Sequence, residues 1–193
     1  MPTPAPPTNL ASLSLDAIEK LAEDQSLPPV ETWHPQREGS IDIRIARDGT
    51  WYHEGDPITR PALVRLFSTI LRREADGSHV LVTPAEKLSI EVEDAPFLAV
   101  EMQLVEDPVY TQRAIFRLNT GDIIVAGQRH MLELRGNGEN ALPYLHVRAD
   151  LWALLARPVY YELMEQAIEA GGDPIGITSD GIFFPLAPAG VTA

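Results

Sequence analysis

The sequence predicts an α+β protein made of two small sheet-plus-helix domains. Three observations lead there. Most of the chain beyond residue 40 reads as short runs in which apolar and polar residues alternate, punctuated by Asp-Gly, Asn-Gly and Pro turns. Strong helical stripes are few, one in each half. The length, 193 residues, suits one domain or two small ones and buries a core without disulfide or metal staples.

The elements follow in order. Residues 1–8 carry four prolines and read as an extended tail. Ser14 is placed to cap a short helix with Leu15, Ile18, Leu21 and Ala22 on one face, stopped by Leu27-Pro28-Pro29. Ile41, Ile43 and Ile45 alternate with Asp42, Arg44 and Ala46, Asp48-Gly49 turns the chain, and residues 50–53 return as the second strand of a hairpin. Thr59 is read as the cap of the strongest helix, with Pro61 in its first turn and a stripe of Leu63, Leu66, Phe67, Ile70 and Leu71. Strands are predicted at residues 79–83, 87–93, 97–106, 114–118, 122–126, 130–135 and 144–148, with Gly136-Asn-Gly read as a hairpin turn. Asp150 would cap a second helical run that Pro158 splits in two, the later piece carrying Val159, Tyr160, Leu163, Met164, Ala167 and Ile168. The chain closes with strands around Ser179-Asp180-Gly181. This assigns residues 1–30 to a Pro-rich tail and short helix, 31–107 to an N-terminal α+β domain and 108–193 to a C-terminal one. Asp48-Gly49-Thr-Trp-Tyr echoes Asp180-Gly181-Ile-Phe-Phe. Either the halves are a duplication or Asp-Gly followed by aromatics is simply good hairpin chemistry.

Composition narrows the chemistry. With 15 Lys+Arg against 28 Asp+Glu the net charge is −13, which opposes binding to nucleic acid or to an anionic membrane surface. No Cys is present, so disulfides, thiolate metal sites and Cys nucleophiles are excluded. The start, Met1-Pro-Thr-Pro, lacks the basic and apolar regions of a secretory signal, and no apolar run spans a bilayer, so a cytoplasmic protein is expected. There is no Walker loop, no dinucleotide fingerprint, no nucleophile elbow and no closely spaced His pair, so no cofactor, no metal and no catalytic residue is assigned.

The informative cluster is Trp33, His34, Arg44, Trp51, His53, Arg60 and Arg65, cations and aromatics within an acidic chain. Such a set suits an anionic, ring-bearing ligand: Arg forks a phosphate and an aromatic face stacks a base. On the residues alone the plainer reading is that Trp fills core and Arg pairs with carboxylates. Tyr144, Arg148, Tyr160 and Tyr161 form a comparable group in the second half, although Tyr160 and Tyr161 diverge by about 100° on a helix.

Longer motifs carry a resemblance. They are Trp33-His-Pro, Ile41-Asp-Ile-Arg-Ile, Arg47-Asp-Gly-Thr-Trp-Tyr-His-Glu-Gly, Leu63-Val-Arg-Leu-Phe-Ser-Thr-Ile-Leu-Arg-Arg-Glu and Leu81-Val-Thr-Pro-Ala-Glu-Lys, followed by Pro143-Tyr-Leu, Val147-Arg, Val159-Tyr-Tyr-Glu-Leu and Asp180-Gly-Ile-Phe-Phe-Pro-Leu. Together they resemble the bacterial family known as domain of unknown function 1285, over residues 30–187. Pro158 ahead of Val159 is one departure. The resemblance implies a duplicated α+β core, its second domain superficially like a pleckstrin-homology fold. It further implies a proposed site between the domains for a nucleotide-based molecule and a signalling role, in a family for which no enzyme activity is established. The expected function is therefore a non-catalytic ligand-binding or regulatory protein. Trp51 would stack the ligand, Arg60 and Arg65 pair its anion, His53 supply a polar contact, and Tyr144 with Arg148 complete the site. The alternatives are a protein-interaction module, using exposed strand edges or the Pro-rich tail, and a hydrolase of unrecognised type.

Overall fold

The computed structural model describes residues 27–136 and 140–187. The tail, the helix predicted at residues 14–22 and the tip of the Gly136-Asn-Gly turn lie outside the described residues.

The first six-stranded sheet holds β1 (Arg37–Ile45), β2 (Trp51–His53), β3 (Asp56–Pro57), β4 (Leu71–Arg73), β5 (His79–Val82) and β6 (Glu86–Val92), in the order β3-β2-β1-β6-β5-β4. The second holds β7 (Phe97–Asp107), β8 (Thr111–Leu118), β9 (Ile123–Val125), β10 (Leu132–Arg135), β11 (Leu142–Arg148) and β12 (Leu151–Leu155), in the order β10-β11-β12-β7-β8-β9. Numbered within its own sheet, each order is 3-2-1-6-5-4. In both, the first and last strands lie parallel at the centre (β1 with β6, β7 with β12) and antiparallel neighbours flank them. The repeat is thus a repeat of topology. The helices break it: α1 (Pro61–Thr69) joins the third and fourth strands of the first sheet, whereas α2 (Arg157–Ala170) follows the sixth strand of the second. The second sheet curls into a half-barrel. A two-stranded hairpin, β13 (Gly176–Ser179) with β14 (Ile182–Pro185), ends the described chain.

The Asp-Gly echo does not mark this repeat. Asp48-Gly49 joins the first two strands of the first sheet, but Asp180-Gly181 sits in the extra hairpin. Their turns differ as well. Asp180 (φ 51°) and Gly181 (φ 76°) form a two-residue loop with both residues left-handed. In the earlier turn only Gly49 is left-handed, and the Asp48 carboxylate accepts from the Thr50 amide. The echo is hairpin chemistry arrived at twice.

Three elements depart from the sequence reading. The strand at residues 97–107, assigned to the first domain, is the central strand of the second sheet, so the sheets divide between Val92 and Phe97. Residues 151–155 form β12 instead of a helix. This strand lies between two neighbours and buries Leu151, Ala153, Leu154 and Leu155, and an apolar run buried on both faces has no period by which to recognise it. Pro158 then opens α2 in its first turn, where its missing N–H costs nothing. α1 ends at Thr69, because Leu71 and Arg72 are drawn into pairing with Leu81 and Val80. Leu66, placed on the buried stripe, is exposed, and Arg60 rather than Thr59 occupies the cap position.

One continuous core joins the sheets. Ile43, Ile45, Trp51 and Leu71 of the first pack with Phe97, Phe116, Leu145 and Leu155 of the second, and with Val159, Leu163 and Ala167 of α2. Asn119 pins the seam: its side chain donates to the Gly49 carbonyl at 3.0 Å and accepts from the Leu98 amide at 3.1 Å. Arg72, also buried, donates to the carbonyls of Val30 and Trp33 and pairs with Glu74, tying the entering chain to β4.

Candidate functional site

The six residues proposed from sequence do not converge. Trp51 is 1% exposed and stacks on Phe67 with ring centroids 6.3 Å apart, so its faces are committed to the core and cannot receive a ligand. His53 is exposed at the end of β2. Arg60, exposed, caps the start of α1 and Arg65, half-buried, lies on it, and neither forms an ion pair within the described residues. Tyr144 is a seam residue. Its hydroxyl donates to Asp94 at 2.6 Å, Arg47 holds the other oxygen of that carboxylate at 3.1 Å, and burial pushes the phenol up to about 12. Of the six, Arg148 lines the large cleft of the second sheet.

Its position comes from an irregularity in β11. Pairing runs from His146↔Trp152 to Arg148↔Leu151, so β11 carries one extra residue there. A bulge brings neighbouring side chains toward one side of the sheet, and Arg148 accordingly accompanies the core residue Val147 inward. Its guanidinium lies 5.2 Å from the centre of the Phe97 ring and donates to the carbonyl of Ser68 at the end of α1. The group of the second half thus touches the helix that bears Arg65, but through its backbone. Burial pulls Arg148 below its usual value, opposed by the charges of Asp122 and Glu31, and no carboxylate pairs with it among the described residues.

Arg148 lines a cleft of about 810 Å³. Its wall is β9 with Ile123, Ile124 and Val125, its rim the loop Gly127-Gln128-Arg129-His130, and its far side Tyr110, Arg113 and Asp180. Three cations therefore border one cavity in a strongly acidic protein. They are not equivalent. Arg113 is neutralised by Asp107 at 3.1 Å and Asp180 at 3.4 Å and rests over Tyr110. Asp107 is held below the usual carboxylate range by the amides of Tyr110 and Val109 and by Arg113. Arg129 has no ion-pair partner among the described residues. His130 is pulled below its usual value by burial, its Nδ1 lying 3.2 Å from the carbonyl of His146. The cleft belongs to the second sheet, with Leu27 of the entering chain on its edge; it does not open between the two sheets as the resemblance implied.

Sequence reasoning missed Gln128, Arg129 and Arg113. All three fall just outside the strands predicted at residues 114–118, 122–126 and 130–135. The one available signal was a polar Gln-Arg-His loop between two apolar strands, in a chain otherwise poor in cations. No group of three or more His, Asp or Glu side chains able to hold a metal ion occurs among the described residues. Nor is any described helix long and apolar enough to cross a membrane.

Comparison with known proteins gives a consistent result. Residues 28–95 match the N-terminal domain, and residues 96–186 the C-terminal domain, of the family described as domain of unknown function DUF1285. The two matches meet where the sheets divide. A DUF1285 family protein of Silicibacter pomeroyi DSS-3, known from its crystal structure, is 42% identical over 90% of this chain and 94% of its own, with a TM-score of 0.75. One from Shewanella baltica OS155 is 25% identical over 64% of this chain and 91% of its own, with a TM-score of 0.50. No curated protein matches the chain.

Proposed function

The chain belongs to the DUF1285 family, and from that premise we propose that it is a non-catalytic, regulatory ligand-binding protein whose cleft takes a small anionic, nucleotide-like molecule. One observation carries the reading: Arg129 and Arg148 border a cavity of about 810 Å³ without a carboxylate partner among the described residues, although carboxylates outnumber cations almost two to one. That volume falls in the range of small-molecule sites. Guanidinium groups with no carboxylate partner among the described residues, set beside an apolar wall, are suited to a phosphate attached to a ring. Tyr110, 40% exposed, supplies the aromatic surface that Trp51 cannot. Binding is the role that the cleft's contents favour: His130 is discouraged from charging by burial, Asp107 and Asp180 are paired with Arg113, and no metal-holding cluster occurs among the described residues.

The test is thermal unfolding of the protein against pyrophosphate, mononucleotides and cyclic dinucleotides. A compound at 100 times its dissociation constant adds about 2.7 kcal/mol, or roughly 5–10 °C for a chain of this size. The shift is expected to vanish in Arg129→Ala and to persist in Arg60→Ala. A shift that survives Arg129→Ala and Arg148→Ala but disappears in Arg60→Ala or Arg65→Ala would move the site to α1. A flat panel with folded protein would overturn the reading in favour of a protein partner.

A further inference from the structure

His146 of β11 holds both of its ring nitrogens against carbonyl oxygens. Nδ1 is 2.9 Å from the carbonyl of Arg129, and Nε2 is 2.7 Å from that of Ala149. A carbonyl oxygen can only accept. A neutral imidazole carries one N–H and one lone pair, so it can satisfy one of these oxygens while setting a lone pair against the other. A ring protonated on both nitrogens satisfies both. The two carbonyls belong to the two segments that carry the cleft cations without a carboxylate partner among the described residues: Arg129 itself on the loop between β9 and β10, and Ala149 next to Arg148 in the turn between β11 and β12. Ala149 sits at φ 44°, a left-handed conformation that a non-glycine residue adopts only when its surroundings hold it there. The bond from His146 is one such restraint.

The surroundings leave the ring to these two oxygens. Trp152 of β12 meets it edge-on at 5.0 Å between centroids. Arg135 lies over the Trp152 ring at 3.9 Å. The neighbouring His130 ring lies 6.1 Å away with its Nδ1 3.2 Å from the His146 carbonyl, and burial disfavours its charged form. Asp150, beside Ala149, is engaged by Arg73 of β4, and Arg129 contributes its own positive charge from the loop.

We propose that His146 is a proton-operated latch: protonated on both nitrogens, it ties the 127–130 loop to the β11–β12 turn and holds Arg129 and Arg148 in their places around the cleft, and loss of one proton releases one of the two. Only the consequence for ligand binding rests on the function proposed above; the latch can be tested without any ligand.

The experiment is nitrogen-15 NMR of the full chain from about pH 5.5 to about pH 8, the interval over which imidazole ordinarily changes charge. It follows the His146 ring nitrogens and, in parallel, the exchange protection of the loop amides. The amides of Gly127 and His130 are suitable reporters, since each donates to the carbonyl of the other. At the acid end both ring nitrogens are expected to show the protonated signature with the loop protected; as the ring loses a proton, protection should fall at least threefold. His146→Gln should hold the loop at the released level at every pH, and His130→Gln should keep the pH response. A single neutral tautomer throughout with unchanged protection would overturn the latch. So would a pH response that persists in His146→Gln. If that variant does not fold, the ring signature of the unaltered protein decides alone. Failure of pyrophosphate to bind a protein whose latch titrates as described would count against the cleft reading and leave the latch standing.

Discussion

The two sheets share a strand order and differ in what joins the third strand to the fourth. In the first sheet residues 58–70 make that connection and include α1, whose Val64 and Phe67 cover the core and whose Phe67 stacks on Trp51. In the second sheet the same connection is the short loop from Ala126 to Met131. The helix that covers the second sheet arrives later, as α2 after the sixth strand, and brings Val159, Leu163 and Ala167 to the core from there. The end of the sheet beside the third strand is left open, and that opening is the cleft. The cations follow the same division. Arg44, Arg47 and Arg72 in the first unit are engaged by Glu93, Asp94 and Glu74, whereas Arg129 and Arg148 at the opening have no such partner among the described residues. A repeated sheet opens a cleft where one copy lacks the cover the other has.

The largest effect that could break this comparison is at Trp51. If it is part of the cover of the first sheet, Trp51→Ala should cost about 3–5 kcal/mol, read by denaturant unfolding. A stable variant that instead lost ligand binding would reverse the roles given to the two units. Next comes the seam. Asn119→Ala strands the Leu98 amide and the Gly49 carbonyl, and about 2–3 kcal/mol should be lost. Gly49→Ala should do comparable damage, since φ is +82° there and a Cβ would stand 2.8 Å from the Asn119 side chain. If both variants keep full stability, the sheets are held by apolar packing alone.

A smaller effect is expected at Tyr144, where removing the hydroxyl in Tyr144→Phe should cost about 1 kcal/mol. The raised phenol also has a pH consequence. Its folded value, about 12, lies above that of an unfolded tyrosine, so its contribution is complete below about pH 10 and fades as pH rises toward 12. Stability measured across that window should fall less steeply in Tyr144→Phe than in the unaltered protein; equal slopes would remove the seam bond from the account. The smallest stability change, within about 0.5 kcal/mol, is predicted for Arg129→Ala, even though it should abolish ligand-induced stabilisation. That pairing of no structural cost with full functional loss separates the open end of the second sheet from the covered first one.

Much of this was legible along the chain. The alternating segments around Ile41–Ile45 and the Asp-Gly turns fixed hairpins locally, because a two-residue period and a left-handed turn residue are properties of neighbouring residues. The same local chemistry located α2's buried face at Val159, Leu163 and Ala167. It also located the acidic surface and the absence of thiol chemistry. What only the tertiary structure decided was membership and exposure. Phe97–Asp107 joins the second sheet because its partners are β8 and β12, and Leu151–Leu155 is a strand because two neighbours bury both its faces. Neither fact leaves a period in the sequence. The site shows the same limit. An arginine or tryptophan carries no local mark of whether a carboxylate or a ring from a distant segment will meet it. Trp51 met Phe67 and Tyr144 met Asp94, while Arg148, singled out in the sequence, and Arg129, which was not, were left to face the same opening because a six-residue loop stands where the other sheet has a helix.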